Sequence, residues 1–349
     1  MYQKNSNSIF VFQNQMNRIV AYAKLLRIPG LGGLAIPPVI GAITVGVFDF
    51  YNLLILFVIG SLAAIYGFIL NDYTDVEVDK LVKELHGRPL VSGDISRKNA
   101  IAICVFCVLF SFLFVFMLWR GEIFDDYKFA AILCIFLAGA LGSIYDLYGK
   151  EIVGSDFLVA ISVAFVFLFG AFSFGEPTIF TWVVFLLTFN NILHMNAIEG
   201  GIKDADHDHI MGVKNIALSS GVKVDGNNIF IPPHFKAFGM GIRLFSTVLL
   251  FVPFVVYGYD YYIWQIIILA LAILGVLYFS VRLLSVKTFD RSTIRKYISM
   301  QSFLRYSLVP LMLVSSIGVL YSLILIIFPI AWYIIFAPLL GEKLFRPRM

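Results

Sequence analysis

Long apolar runs recur along the whole chain, at about residues 30–48, 52–71, 99–119, 129–146, 153–174, 179–197, 239–259, 262–284 and 302–341. A helix needs about 20 such residues to cross a bilayer core of roughly 30 Å, and these runs are of that order. They are continuous rather than alternating, which excludes the short strands of a membrane barrel. Only 14% of the residues are charged, against about a quarter in soluble domains. The expected fold class is an all-α polytopic membrane protein with about nine transmembrane helices. The last run is long enough for a tenth pass if Pro329 breaks it, or for one span and a re-entrant or surface piece.

Charge sets the expected topology. Of the 26 lysines and arginines, 21 fall on the side shared by the N-terminus and the loops after the second, fourth, sixth and eighth runs. The positive-inside rule makes that side cytoplasmic. The loop after the third run holds Arg120 and Lys128, and Lys343, Arg346 and Arg348 follow the last run. Nine passes would leave those three outside, and ten would return them to the cytoplasm. Residues 1–29 read as an interfacial segment, with Met16 to Leu26 an amphipathic helix carrying Arg18, Lys24 and Arg27 at headgroup depth. Residues 1–24 lack the compact apolar core and cleavage site of a signal peptide. Residues 30–341 form a single transmembrane domain with cap loops at about 72–98 and 198–238, and residues 342–349 are a basic tail.

The net charge of +4 resides in short loops and gives no sign of a nucleic-acid partner. Cys104, Cys107 and Cys134 lie inside apolar runs, where packing is the expected role. In "VKVDGNNIFIPP" the Asp225-Gly226 step predicts a small hairpin.

Two acidic clusters stand out against this background. "FILNDYTDVEVDK" places Asp72, Asp75, Glu77 and Asp79 at the end of an apolar run. On a helix Asp75 lies about 60° and Asp79 about 20° from Asp72, with Asn71 at the edge of that face, while Glu77 points about 140° away. Like charges on one face destabilise a helix unless they jointly hold a cation, and hard carboxylate oxygens suit Mg2+ or Ca2+. The second cluster, in "NAIEGGIKDADHDHIMGVKN", sets Asp204 and Asp208 about 40° apart on a helix, with Asp206 pointing across. An EF-hand is excluded, because His209 stands where glycine is needed and Asn215 where a bidentate glutamate belongs. His207 and His209 diverge on a helix and make no convincing zinc site. Both clusters are followed by cations, Lys80, Lys83 and Arg88 after the first and Lys214 after the second. Acid faces bridged by a divalent ion, with cations beside them, describe a site for a polyanion.

Asn71-Asp72-x-x-Asp75-x-x-x-Asp79 resembles the first signature of the UbiA superfamily of intramembrane prenyltransferases, and "RPLVSG" after it resembles that family's continuation. Asp204-x-x-x-Asp208, with Gly212 and Lys214 behind it, looks like the second signature. "YDLYGK" is similar to the family's tyrosine-to-lysine motif. It departs in spacing: Tyr145 and Lys150 are five apart where the family has four, which leaves Tyr148 as an alternative partner.

The resemblance implies nine helices around a central cavity under a cytoplasmic cap. It also implies Mg2+-dependent transfer from an isoprenyl diphosphate to a lipid-soluble or aromatic acceptor. Asp72, Asp75, Asp79, Asp204 and Asp208 would be the metal ligands, Asn71, Arg88, Lys214 and Arg27 would hold the diphosphate, and Tyr145 and Lys150 would be catalytic. The wording is similar to archaeal ether-lipid or quinone-type members, although no residue fixes the acceptor, the chain length or the oligomeric state. A membrane transporter and a non-catalytic relative are the alternatives. Against transport, the carboxylates sit at loop edges and not at mid-membrane depth.

Overall fold

In the computed structural model, which describes residues 18–341, the helix starts are set by polar caps at the ends of apolar runs. The Asp49 carboxylate accepts from the Asn52 amide, the Ser96 hydroxyl from Asn99, the Asp125 carboxylate from Lys128, and Asp290 from Ser292 and Thr293. Each satisfies amide donors that a helix start leaves without partners.

The first pass is broken into α1 (18–25), α2 (Ile28–Leu34) and α3 (Pro37–Thr44). Then come α4 (Phe50–Asp79), a 3-10 turn at Lys83–Leu85, α5 (Pro89–Ser92), α6 (Arg97–Leu118), α7 (Asp126–Tyr148), α8 (Asp156–Phe172) and α9 (Ile179–Leu193). A π-helical segment, His194–Gly200, carries α9 into α10 (Gly201–Lys203), α11 (Ala205–Ile210) and α12 (Ile216–Ser219). The expected hairpin follows as β1 (Lys223–Asp225) and β2 (Asn228–Phe230), antiparallel with Val224 opposite Ile229. The chain continues with α13 (Pro233–Val255), α14 (Ile263–Leu284), α15 (Arg291–Ile317) and α16 (Val319–Leu339).

Among the described residues, eight helical stretches are long and apolar enough to cross a membrane. The 17-residue α8 is apolar and shorter, and α15, which begins polar, packs between α14 and α16. Counting these two, ten helical segments run along the bundle among the described residues, and the final apolar run is divided into two helices. The break falls at Gly318, not Pro329. Gly318 has φ 82°, a conformation that ends a helix and that side chains resist, whereas Pro329 lies inside α16. Membrane helices tolerate interior prolines because their neighbours restore the lost backbone bond. The N-terminal segment is described from residue 18 onward. Residues 1–17 and the basic tail, 342–349, lie outside the described residues.

The core joins residues of α3, α4, α6, α7, α8, α9, α13, α14, α15 and α16, among them Leu56, Phe167, Phe169, Leu250 and Met312. Close approach of α3 and α8 depends on Gly41 and Gly170. A Cβ on either would enter the backbone of Phe167 or Pro38, the small-residue packing usual between membrane helices. The three cysteines are free and buried. Lys128, one of the exceptions to the charge asymmetry, is buried and neutralised by Glu122 at 3.1 Å and Asp125 at 3.2 Å. Beside the hairpin, the 285–290 loop pairs through Ile229 N to Lys287 O (2.9 Å) and Phe289 N to Asn227 O (2.7 Å), so the hairpin is fastened to the start of α15.

Candidate active site

The helical phase of the first acidic stretch is as the spacing predicts. Asp72, Asp75 and Asp79 are buried on one side of α4, while the Glu77 side chain is 66% exposed and pairs with Lys80 and Arg97. The cap loop, however, begins at residue 80 and not at 72, because α4 continues to Asp79. Repulsion among the three carboxylates would fray that last turn. Three cations from three other segments remove it.

Arg27 Nη2 lies 2.7 Å from Asp72 Oδ1, and its guanidinium stacks 4.9 Å above the Phe68 ring. Arg88 Nη1 donates to Asp79 Oδ2 at 2.5 Å and reaches Asp72 Oδ1 at 3.3 Å. Lys150 Nζ sits 2.8 Å from Asp75 Oδ1. Burial opposes the charge on Arg88, and Asp72 and Asp79 more than restore it, so its pKa lies above the usual value. Arg27 is reached at a conformational cost. Its φ of 47° and ψ of 45° make it the one non-glycine residue with positive φ among those described, a strain of about 1–2 kcal/mol for an L-residue.

The second cluster meets the first through Lys150. While its ammonium holds Asp75, its carbonyl accepts from the Lys214 amide at 2.8 Å. Asp208 accepts from Asn215 Nδ2 at 2.7 Å, and its carboxyl is pushed up to about 7 by burial first and by Asp204 second, with Lys150 and Asp75 close enough to contribute. Asp204 is more open and pairs with Lys203 at 3.2 Å. A further bridge lies outside the carboxylates. His207 Nε2 stands 3.8 Å from Glu84 Oε2 in the first cap loop, and Arg291 holds that same nitrogen at 2.8 Å and Asp206 at 2.5 Å.

Other residues singled out by sequence are placed less centrally. The Lys214 side chain is exposed, and only its amide joins the contact with Lys150. The Asn71 carbonyl accepts from the Thr74 hydroxyl at 2.9 Å. Of the two tyrosines, Tyr148 is 53% exposed, whereas Tyr145 is within electrostatic reach of Asp75 and Asp208. Between Tyr145 and Lys150 stands Gly149, where a Cβ would run into the Tyr145 carbonyl oxygen.

Sequence reasoning passed over several neighbours. Asp146 on α7 borders Asp72, Asp75 and Arg27, and its carbonyl accepts from Thr74 at 2.9 Å; the signal was a lone carboxylate beside Tyr145. In sequence Asn215 stands out only as the residue that rules out a calcium loop, yet its side-chain amide donates to Asp208. Beneath the second cluster lies a buried network on the π segment. Glu199 Oε1 accepts from Arg243 at 2.9 Å and Arg305 at 2.6 Å, and lies 3.1 Å from His194 Nδ1. These charges are spread over more than a hundred positions in sequence, and no local motif announces them.

Among the described residues, no three His, Cys, Asp or Glu side chains converge as a ready-made metal site. The donor chemistry nonetheless fits Mg2+. That ion takes one or two carboxylates together with substrate phosphates and seldom uses an all-protein cage. Dispersed hard oxygens backed by arginine and lysine are such a set.

A polytopic helical membrane fold with two carboxylate clusters gathered at one end is the class this geometry defines. Comparison makes it specific. The model of the UbiA prenyltransferase family matches residues 34–304, and the chain belongs to that family. It is 28% identical over 261 residues to a digeranylgeranylglyceryl phosphate synthase of Saccharolobus solfataricus, covering 68% of this chain and 84% of that protein. It is 31% identical over 175 residues to a 4-hydroxybenzoate octaprenyltransferase of Francisella tularensis subsp. novicida, covering 49% of this chain and 57% of that protein. Among solved structures, a UbiA homologue from Archaeoglobus fulgidus bound to GPP and Mg2+ has the same fold, with a TM-score of 0.58 and 17% identity, covering 84% of this chain and 99% of that one.

Proposed function

We propose that this protein transfers a prenyl group from an isoprenyl diphosphate to a lipid-soluble or aromatic acceptor, with the acid-rich end of the bundle on the cytoplasmic side. The observation that carries this reading is the double contact of Lys150, whose ammonium touches Asp75 and whose carbonyl binds the second acidic segment. It supports a single site made from both clusters. The family membership and the GPP and Mg2+ held by a relative of the same fold point the same way.

In this reading Asp72, Asp75 and Asp79 face Asp204 and Asp208 across the diphosphate. Mg2+ would be held by these carboxylates and by phosphate oxygens, and when bound it supplies Lewis-acid stabilisation of the leaving diphosphate. Arg27, Arg88 and Lys150 exchange their carboxylate partners for phosphate oxygens and take up the negative charge that grows as the carbon–oxygen bond breaks. The half-buried Tyr145 presents an aromatic face to the allylic cation. The apolar bundle and the cap exclude water until the acceptor attacks. Asn71 and Lys214 flank the diphosphate at the rim. The relatives include both a digeranylgeranylglyceryl phosphate synthase and a 4-hydroxybenzoate octaprenyltransferase, which support the two acceptor classes named.

The test is transfer by purified protein with Mg2+, labelled geranyl, farnesyl or geranylgeranyl diphosphate and a panel of acceptors. Asp72→Asn and Asp208→Asn should each abolish product and diphosphate release. Transfer that survives both changes, or that proceeds with the divalent ion chelated, would refute the proposal.

A further inference from the structure

The last helix, α16, lies beyond residues 34–304, the span the family matches, yet it reaches the functional end of the molecule. It packs along α2, the seven-residue helix that begins one residue after Arg27. The contact is built around Trp332. Its indole Nε1 donates to the Ile28 carbonyl at 2.8 Å, and its ring lies so near Gly32 that a Cβ there would stand 2.5 Å from the Trp332 Cβ. On the neighbouring side of α2, Gly33 is equally close to the Tyr306 hydroxyl of α15, where a Cβ would stand 2.5 Å away. The two glycines let α15 and α16 grip one short helix by its backbone. Trp332 also meets the Phe57 ring at 5.6 Å, which ties it to α4, the helix that bears Asp72.

This grip adjoins the strained residue. Arg27 is the N-cap of α2, left-handed in its backbone, with no side-chain cap to hold it there. A conformation of that kind persists only where its surroundings over-determine it, and such residues cluster at functional sites. The fixed start of α2 supplies the constraint on one side. We infer that Trp332 is a positioning residue that pins the start of α2 and so delivers the Arg27 guanidinium to Asp72 and to the diphosphate. The inference rests on the role proposed above for Arg27. It gives the C-terminal helix a part in substrate binding without any contact with substrate.

The test uses full-length protein in detergent and Mg2+-pyrophosphate as the probe, with affinity read by calorimetry and hydrogen exchange followed over residues 24–34. Trp332→Phe keeps a ring in the aromatic cluster and removes the donor, so folding is preserved. The expected result is a loss of affinity of about fivefold, equivalent to one hydrogen bond, with faster exchange over 24–34 and no change in α6. In an Arg27→Gln background, Trp332→Phe should produce no further loss of affinity, since both changes remove one function. Unchanged affinity and exchange in Trp332→Phe, or an equal further loss in the Arg27→Gln background, would overturn the inference and leave the site reading intact. Failure of the unaltered protein to bind Mg2+-pyrophosphate would instead overturn the site reading, and the inference with it.

Discussion

Lys150 and Asp75 stand 2.8 Å apart, ammonium to carboxylate, and the lysine's own carbonyl is held by the amide of Lys214. One residue thus reads the position of both acidic segments. Removing the ammonium while keeping the chain's bulk, as in Lys150→Met, leaves the carbonyl contact in place. Activity is expected to fall by roughly 100-fold, the scale seen when one donor to a developing negative charge is lost. Transfer assays should show this with the melting temperature of the detergent-solubilised protein little changed. A drop of less than tenfold would remove Lys150 from the charge-stabilising set.

Four carboxylates crowd residues 72–79, and they are not equivalent. Glu77 is exposed and engaged only in surface pairs with Lys80 and Arg97, which contribute little in water. Glu77→Gln should leave the melting temperature and transfer essentially unchanged. Asp79→Asn, two residues on, removes the charge of the carboxylate nearer to Arg88 and should abolish transfer. The contrast, measured side by side, tests whether helical phase or mere acidity defines the site.

That phase was legible in sequence because an α-helix repeats every 3.6 residues and the acids keep to its period. The spans were legible for the same kind of reason, since a bilayer dictates length and hydropathy together. What escaped was set by long-range partners. Asp72 through Asp79 remain helical because Arg27, Arg88 and Lys150 arrive from elsewhere, and a sequence window cannot contain them. Gly318 outranked Pro329 as a breaker because a positive φ redirects the chain, whereas a proline within a packed membrane helix can be absorbed. The π segment and its buried Glu199 gave no periodic signal at all.

Asp208 provides a pH signature. Its carboxyl is raised to about 7 from an ordinary 3.8, by burial and then by Asp204. In the ion-free protein the folded state keeps a proton that the unfolded chain has released. Stability from this group is therefore present in full below about pH 4 and is lost as pH rises toward about 7. Melting temperatures recorded in chelator from pH 5 to 8 should decline and then level off, and Asp208→Asn should flatten the decline. Divalent-ion affinity should move the opposite way, rising up to about pH 7, because the ion competes with that proton. A melting profile in Asp208→Asn identical to that of the unaltered protein would show that the group does not titrate there.

Glu199 carries the largest expected stability effect. It is fully buried on the π segment and accepts from both Arg243 and Arg305. Glu199→Gln would leave two buried guanidinium groups without a counter-charge, and breaking a buried pair by removing one partner costs about 3–5 kcal/mol. Arg305→Met removes one of the two cations and leaves Glu199 paired with Arg243, so the remaining charges balance and the loss should be smaller. The order of melting temperatures should be unaltered protein, then Arg305→Met, then Glu199→Gln. The reverse order would mean that Arg305, and not the carboxylate, is the keystone beneath Asp204 and Asp208. Because those two aspartates hang from the segment that Glu199 anchors, Glu199→Gln should also raise the Mg2+ concentration needed for half-maximal transfer in whatever folded fraction remains.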